Sequence, residues 1–158
     1  MLLPPARLEP CHNVNDFESG VAGLDEWLKR RARSNQASGA SRTYVVTDPE
    51  NRVAGYYALA SGGLALAEAS GRIRRNMPDP IPMAVLGRLA VAKALQGRGL
   101  GAAMLQDAVL RVRQAAAILG IRGILVHAIS EDARRFYEHH GFITAPRASM
   151  TLILPLAD

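Results

Sequence analysis

The sequence has little cysteine, because Cys11 is the only one in 158 residues. A single thiol excludes an internal disulfide and leaves too few ligands for a cysteine-built zinc site. Long apolar runs are also missing: Ala115–Leu119 falls far short of the roughly 20 residues that a bilayer span needs. The amino terminus lacks a basic segment followed by an apolar core. These absences predict a cytoplasmic protein with no metal and no membrane partner.

Lysine is scarce as well, with Lys29 and Lys93 standing beside 17 arginines, and the net charge is +5. The planar fork of arginine matches phosphate oxygens, so an anionic partner such as a nucleic acid or a phosphorylated cofactor fits this excess. An arginine-rich and alanine-rich composition also follows from a GC-rich genome. Composition alone leaves both explanations open.

The length suits one domain, and we expect residues 1–158 to form a single one. Hydrophobic residues make up 49% of the chain and charged residues 21%, which is close to the globular average and excludes a disordered tail.

The hydrophobic pattern predicts helices and strands in alternation. In chain order these are a helix over Val21–Asn35, a hairpin of Thr43–Thr47 and Val53–Ala60, a strand over Met83–Val91, a helix over Gly99–Leu119, a strand over Ile124–Ile129, a helix from Glu131 capped by Ser130, and a final strand over Thr151–Leu156. The pattern leaves Leu64–Ala69 open between strand and short helix. The arginine- and proline-rich Gly71–Pro82 is typical of a mobile surface loop. The strand, helix and strand order from Val85 to Ile129 predicts a right-handed parallel crossover.

The most informative motif is Gln96-Gly97-Arg98-Gly99-Leu100-Gly101, which lies between a predicted strand and a predicted long helix. Backbone amides at a helix amino terminus are unpaired and the helix dipole is positive there, so glycines at this point favour a pyrophosphate site. The lysine and hydroxyl residue of a nucleoside triphosphate loop are absent, and Met104 stands where a dinucleotide fingerprint has its third glycine. A glycine turn without a ligand is the alternative.

Three segments occur in the order and spacing of the GCN5-related acetyltransferases, and the sequence resembles that family over most of its length. They are Leu86–Val91, the glycine segment, and a stretch with Ala133, Phe136-Tyr137 and Gly141-Phe142. The resemblance implies an α/β fold with a mixed, partly parallel central sheet flanked by helices and splayed between the strands that end near Val91 and Ile129. Ser130 departs from the pattern, since many members have asparagine there.

The same resemblance implies acetyl-coenzyme A as co-substrate. In the family the glycine loop grips the pyrophosphate and the preceding strand pairs with the pantetheine arm. The implied cofactor-binding residues are Leu89, Ala90 and Val91 in the strand and Gln96, Gly97, Arg98, Gly99, Leu100, Gly101 and Ala102 in the loop. The resemblance gives Tyr137 the role of general acid toward the departing thiolate. A buried aromatic beside Phe136 is the structural alternative for this tyrosine.

A narrower resemblance, to the acetyltransferase toxins of bacterial toxin–antitoxin modules, covers the amino-terminal half. It rests on Leu24–Ala32, Asn35, Gly39–Val46 and Gly55–Tyr57, and Gly123–Ala128 in the other half adds to the match. It implies acetylation of the amino group of aminoacyl-tRNA, arrest of translation, and inhibition by a ribbon-helix-helix antitoxin. We also expect a homodimer that reaches operator DNA only through the antitoxin.

Under this resemblance, the basic segments are expected to bind the phosphate backbone of tRNA. The residues concerned are Lys29, Arg30, Arg31 and Arg33 in the first helix, and Arg72, Arg74 and Arg75 in the loop. A solvated charged face is the alternative.

Residues 85–91 contain no carboxylate that would serve as a general base. An α-amino group titrates near about 7.7–8.0, well below the roughly 10.4 of lysine, so an aminoacyl ester has less need of a base. Acetylation of a small amine or a protein amino terminus is the rival activity, and a non-catalytic corepressor module is the rival of another class. We expect His127 to be a hydrogen-bonded interior residue, His139 and His140 to contact free helix carbonyls, and Cys11-His12 to bind no metal.

Overall fold

The computed structural model describes residues 1–156, which fold as two compact units. The first unit comprises Met1–Ala60 and Gly87–Val109, and the second comprises Ser61–Leu86 and the chain from Leu110 onward. None of the helices in this described part of the chain is long and apolar enough to cross a membrane.

Strands and helices alternate along most of the chain. The strands are β1 (Ala6–Arg7), β2 (Arg42–Thr47), β3 (Val53–Leu64), β4 (Ile81–Val91), β5 (Gly123–His127), β6 (Ile143–Ala145) and β7 (Ala148–Pro155). The α-helices are α1 (Ala22–Arg30), α2 (Ala32–Ser38), α3 (Gly71–Arg74), α4 (Leu100–Ala116) and α5 (Glu131–His139).

The strands form one mixed sheet in the order β1-β2-β3-β4-β5-β7-β6, as the α/β prediction requires. The hairpin of β2 and β3 is antiparallel, whereas β4 and β5 are parallel, so both of these predicted pairings are confirmed. The parallel register runs from Met83 opposite Gly123 to Val85 opposite Leu125, and both strands continue beyond these pairs. The division between the two units passes through β3 and β4.

Aromatic packing fixes α1 in the core of the first unit. The fully buried Tyr56 of β3 stacks on Trp27 of α1 with 6.0 Å between ring centroids, and Phe17 meets Tyr56 edge-on at 5.6 Å. The Tyr56 hydroxyl donates a hydrogen bond of 2.6 Å to the Leu24 carbonyl. Leu28, the next turn of the same helix, is fully buried as well. These contacts hold the exposed, basic face of α1 in a defined place.

The single predicted helix over Val21–Asn35 is wrong in one respect, because it breaks into α1 and α2 at Arg31. The Arg31 amide donates to the Trp27 carbonyl at 2.8 Å and closes α1, while the Arg31 carbonyl accepts from Asn35 at 2.9 Å and opens α2. Neither glycine nor proline occurs at the break, so the sequence carries no signal for it.

The predicted loop Gly71–Pro82 is also corrected, since it begins with the short helix α3. Ile73 is buried in the core of the second unit with Ile81, Met83 and Leu125. The Arg122 guanidinium donates to the carbonyls of Arg72 and Ile73 at 2.9 and 3.1 Å, which satisfies the carboxyl end of α3. Leu66–Glu68 forms a 3₁₀ helix, which decides the open choice at Leu64–Ala69.

Candidate active site

The glycine loop joins β4 to α4 in the first unit. Gly97 and Gly99 have φ of +80° and +84°, a conformation that side-chain-bearing residues rarely adopt. A Cβ atom built on either glycine meets nothing within 4 Å, so the space over the loop is open. The first-turn amides of α4, at Leu100, Gly101 and Ala102, have no intrahelical acceptor, and the helix dipole adds positive potential. The loop therefore fits the diphosphate of a coenzyme A thioester.

The side chain of Gln96 braces this loop, because it is hydrogen-bonded to two main-chain carbonyls outside it. Its Nε2 donates to the Ser19 carbonyl at 2.7 Å and to the Val91 carbonyl at 2.9 Å. Ser19 is held in turn by the buried carboxylate of Asp25, which accepts from the Ser19 hydroxyl at 2.6 Å and from its amide at 3.1 Å. The side chain of Gln96, predicted to bind cofactor, is therefore engaged with the protein. Asp25 and Ser19, which sequence reasoning missed, support the loop through it.

Replacing Gln96 with leucine is expected to raise KM for acetyl-CoA several-fold while kcat changes little. The variant loses two hydrogen bonds to main-chain carbonyls, each worth about 0.5–1.5 kcal/mol, so the loop spends less time in its binding geometry. Steady-state kinetics with varied acetyl-CoA measure the effect. Gln106→Leu is the matched control, because Gln106 is an exposed residue of α4. Equal effects of both substitutions would show that the brace has no influence on the loop.

The predicted strand residues lie at the end of β4, and a 3₁₀ helix over Lys93–Leu95 follows them before the loop. Ala90 is buried in the core of the first unit, so its methyl group packs against protein. Leu89 and Val91 are half-buried, and Arg98 in the loop is exposed. Any contact of Ala90 with a cofactor is therefore made by its backbone.

Tyr137 lies on α5 in the second unit. The Ser130 hydroxyl caps this helix by accepting from the Ala133 amide at 3.1 Å, as predicted. Tyr137 is only 8% exposed and packs between Phe136 and Phe142, whose ring centroids are 5.2 and 5.3 Å away. Burial raises the pKa of the Tyr137 phenol to about 12. The phenol is therefore fully protonated at neutral pH, which is the state that an acid catalyst needs.

The predicted tRNA-binding cations fall in both units, and all seven are exposed. Lys29, Arg30, Arg31 and Arg33 belong to the α1–α2 region of the first unit, whereas Arg72, Arg74 and Arg75 lie on α3 of the second unit or just after it. Two have protein partners: Arg30 pairs with Glu26 at 2.7 Å, and Arg33 donates to the His12 carbonyl at 2.6 Å. The Arg122 contacts to α3 were missed, since only the folded chain shows them.

The predictions for the histidines met different outcomes. His127 is exposed at the end of β5, so the expected interior placement is wrong, and its ring contacts the Thr151 hydroxyl at 3.1 Å. The His140 ring lies 2.8 Å from the Phe136 carbonyl, as expected near a helix end.

Cys11 and His12 lie with Glu9 in a cluster whose potential metal-ligand atoms are within 4.8 Å of one another. His12 Nδ1 accepts the Glu9 amide at 2.9 Å, so the imidazole closes a local turn.

Comparison with known proteins identifies the family. A model described as "Acetyltransferase (GNAT) domain" matches residues 39–144. A tRNA-acetylating toxin of Mycobacterium tuberculosis (strain ATCC 25618 / H37Rv) is 48% identical over 154 residues, which is 98% of this chain and 92% of the relative.

Solved structures agree with this sequence match. AtaT complexed with acetyl-methionyl-tRNAfMet has a TM-score of 0.90 at 29% identity, over 98% of this chain and 95% of that one. A tyrosine-to-phenylalanine mutant of AtaT, bound to the carboxyl terminus of the antitoxin AtaR and to acetyl-CoA, has a TM-score of 0.82 at 28% identity, over 98% and 93%. The AtaT–AtaR complex bound to DNA has a TM-score of 0.80 at 27% identity, over 98% and 95%. With its glycine loop ahead of α4 and this agreement along nearly its whole length, the chain belongs to the GNAT family of acetyltransferases.

Proposed function

We propose that this protein is an acetyl-CoA-dependent N-acetyltransferase toxin that acetylates the α-amino group of aminoacyl-tRNA and blocks translation. The observation that carries the proposal is the open glycine loop at the start of α4, with two left-handed glycines and free first-turn amides. The 48% identity to a tRNA-acetylating toxin supports the choice of acceptor.

The proposed mechanism uses the glycine loop, the end of β4 and Tyr137. When bound, acetyl-CoA supplies an acetyl group activated as a thioester. Main-chain amides of Gly97–Ala102 hold the diphosphate, and the backbone of Leu89 and Val91 aligns the pantetheine arm. The amine nitrogen bonds to the carbonyl carbon and releases a proton to solvent water, the carbon–sulfur bond breaks, and the Tyr137 hydroxyl protonates the departing sulfur. The Tyr137 phenolate then regains a proton from solvent. The α-amine is substantially neutral near its pKa of about 7.7–8.0, so it attacks without a dedicated base.

In this proposal, electrostatic attraction provides most of the binding affinity for tRNA. The exposed cations at Lys29, Arg30, Arg31 and Arg33 and at Arg72, Arg74 and Arg75 bind backbone phosphates and release counterions. The net charge of +5 strengthens this attraction at a distance.

The same proposal includes the partners and the setting. The protein acts in the cytoplasm as a homodimer, and residues 1–158 work as one catalytic domain. A ribbon-helix-helix antitoxin neutralises it, and operator DNA is reached only through that antitoxin. The AtaT complexes with AtaR and with DNA support this arrangement.

The decisive experiment incubates the purified protein with charged tRNA and labelled acetyl-CoA. We expect label on the amino acid of at least one aminoacyl-tRNA, recovered as N-acetyl amino acid after ester hydrolysis. Uncharged tRNA is the control. Transfer to small amines or peptide amino termini but to no aminoacyl-tRNA would replace this function by the rival acetyltransferase activity. Acetyl-CoA binding without transfer to any acceptor would favour a corepressor module.

A further inference from the structure

Arg88 is an arginine of the first unit whose position suggests a ligand. It lies on β4 directly before Leu89, and its guanidinium carbon is 4.4 Å from the centroid of the Trp27 ring. Trp27 itself is stacked on the buried Tyr56 with an angle of 9° between the rings. The aromatic pair thus fixes the arginine head on a rigid support, with a cation–π attraction of about 0.5–2 kcal/mol.

The charge of Arg88 is not paired within residues 1–156: no carboxylate there lies within salt-bridge distance, and no hydrogen bond uses its donors. Other arginines of the chain, such as Arg52 and Arg134, do have acidic partners. The buried carboxylate of Asp25 in the same unit accepts hydrogen bonds from Ser19. A half-buried cation loses part of its hydration; the Trp27 ring compensates for some of this loss, and an anionic ligand would compensate for more.

The surroundings of Arg88 connect it to the rest of the proposed site. Trp27 belongs to α1, which goes on to the exposed Lys29 and Arg30. On the other side, Arg88 adjoins the β4 residues assigned to the pantetheine arm. Gly87, its neighbour, is exposed, and a Cβ there would meet nothing within 4 Å. Arg88 therefore stands between the basic surface of α1 and the strand assigned to the acyl donor.

We propose that Arg88 binds a backbone phosphate of the single-stranded 3′ end of aminoacyl-tRNA and so positions the α-amino group. This inference rests on the proposed function. The amino acid is esterified to the terminal ribose, so the last phosphates lie only a few bonds from the reacting nitrogen. The planar guanidinium offers two parallel donors to a phosphate, a geometry that lysine lacks. Arg88 then adds a contact near the aminoacyl end of the tRNA, in addition to the contacts made by the seven exposed cations predicted to bind the tRNA backbone.

The test compares Arg88→Gln with the wild-type protein on two acceptors. With aminoacyl-tRNA we expect KM to rise about tenfold, the loss of one charge-assisted hydrogen bond, with KM for acetyl-CoA unchanged. With an amino acid methyl ester, which has no phosphate, kcat/KM stays at the wild-type value. The slope of log affinity for aminoacyl-tRNA against log salt falls in magnitude by about 0.7, the value for one phosphate of a single strand.

Control variants separate a binding role from a structural one. Arg52→Gln removes the same charge from a residue already paired with Asp48 and Glu50, so tRNA binding and its salt slope change little. Arg88→Lys retains the salt slope but loses part of the affinity, and Trp27→Leu, which removes the support, weakens tRNA binding without changing net charge.

Three results would overturn the inference. An unchanged salt slope in Arg88→Gln would show that the residue meets no phosphate. Equal losses with aminoacyl-tRNA and with the ester would show a general defect of the site. Failure of the wild-type protein to acetylate any aminoacyl-tRNA would overturn the proposed function itself, and this result is distinct because it needs no variant.

Discussion

Tyr137→Phe is expected to lower kcat for acetyl transfer by about 10²–10⁴-fold, the usual contribution of a positioned acid, while acetyl-CoA binds as before. The substitution removes only the hydroxyl from a ring that is packed between Phe136 and Phe142, so the helix and its core contacts stay intact. Initial rates with charged tRNA give kcat, and calorimetry with acetyl-CoA gives the affinity.

The pH profile belongs to the same prediction. An acid catalyst works while it is protonated, and the pKa of Tyr137, raised to about 12 by burial, keeps it protonated throughout the neutral and mildly alkaline range. The rate should therefore rise with pH as the acceptor amine loses its proton near pH about 7.7–8.0, and show no fall from Tyr137 up to about pH 10.

Tyr44→Phe is the matched control for this tyrosine, since it makes the same chemical change in the first unit, on β2. It should leave kcat near the wild-type value. A kcat for Tyr137→Phe within a few-fold of wild type would remove Tyr137 from the mechanism and leave it as a packing residue.

Gly99→Val is expected to reduce affinity for acetyl-CoA by at least about 100-fold. Two causes act together: the φ of +84° costs a side-chain-bearing residue roughly 1–2 kcal/mol, and the valine branches fill the open space that the diphosphate needs. Two or three lost charge-assisted hydrogen bonds, at about 1.5–3 kcal/mol each, account for the magnitude. Calorimetric titration with acetyl-CoA measures it, and Gly99→Ala should give a smaller loss.

Gly39 provides a close control for the backbone strain. It has φ of +82°, it ends α2 in the same unit, and it too has nothing within 4 Å of a built Cβ. Gly39→Val should therefore lower the thermal stability about as much as Gly99→Val does, but it should leave the affinity for acetyl-CoA unchanged. Equal losses of affinity in the two variants would mean that strain, and not occupancy of the loop, explains the result.

The elements that sequence reasoning predicted well are those with strong local patterns. The hairpin of β2 and β3, the β4–α4–β5 crossover and the Ser130 cap each follow from alternation, helical spacing or a capping residue. The glycine loop was predicted from glycines at the amino terminus of a predicted helix, and the structure adds that Gly97 and Gly99 have positive φ. Resemblance to a family added the cofactor and Tyr137, which periodicity does not give.

The elements that sequence reasoning missed depend on distant partners. The strands β1 and β6 have two and three residues, too few to show a period, and they exist because β2 and β7 supply hydrogen-bonding edges. The α3 helix is held by Arg122, about fifty residues further along the chain. The unpaired charge of Arg88 and the brace at Gln96 likewise appear only when side chains from separate segments are placed together.

The chain of contacts from Asp25 through Ser19 to Gln96 has a consequence for inhibition. A small molecule or peptide that broke the hydrogen bond between the Ser19 carbonyl and the Gln96 amide would make the glycine loop less ordered, and it would not need to resemble coenzyme A. Like Gln96→Leu, it would raise KM for acetyl-CoA and leave kcat nearly unchanged, although it would bind away from the acyl donor. A segment with no chemistry of its own thus becomes a second point at which such an enzyme can be switched off.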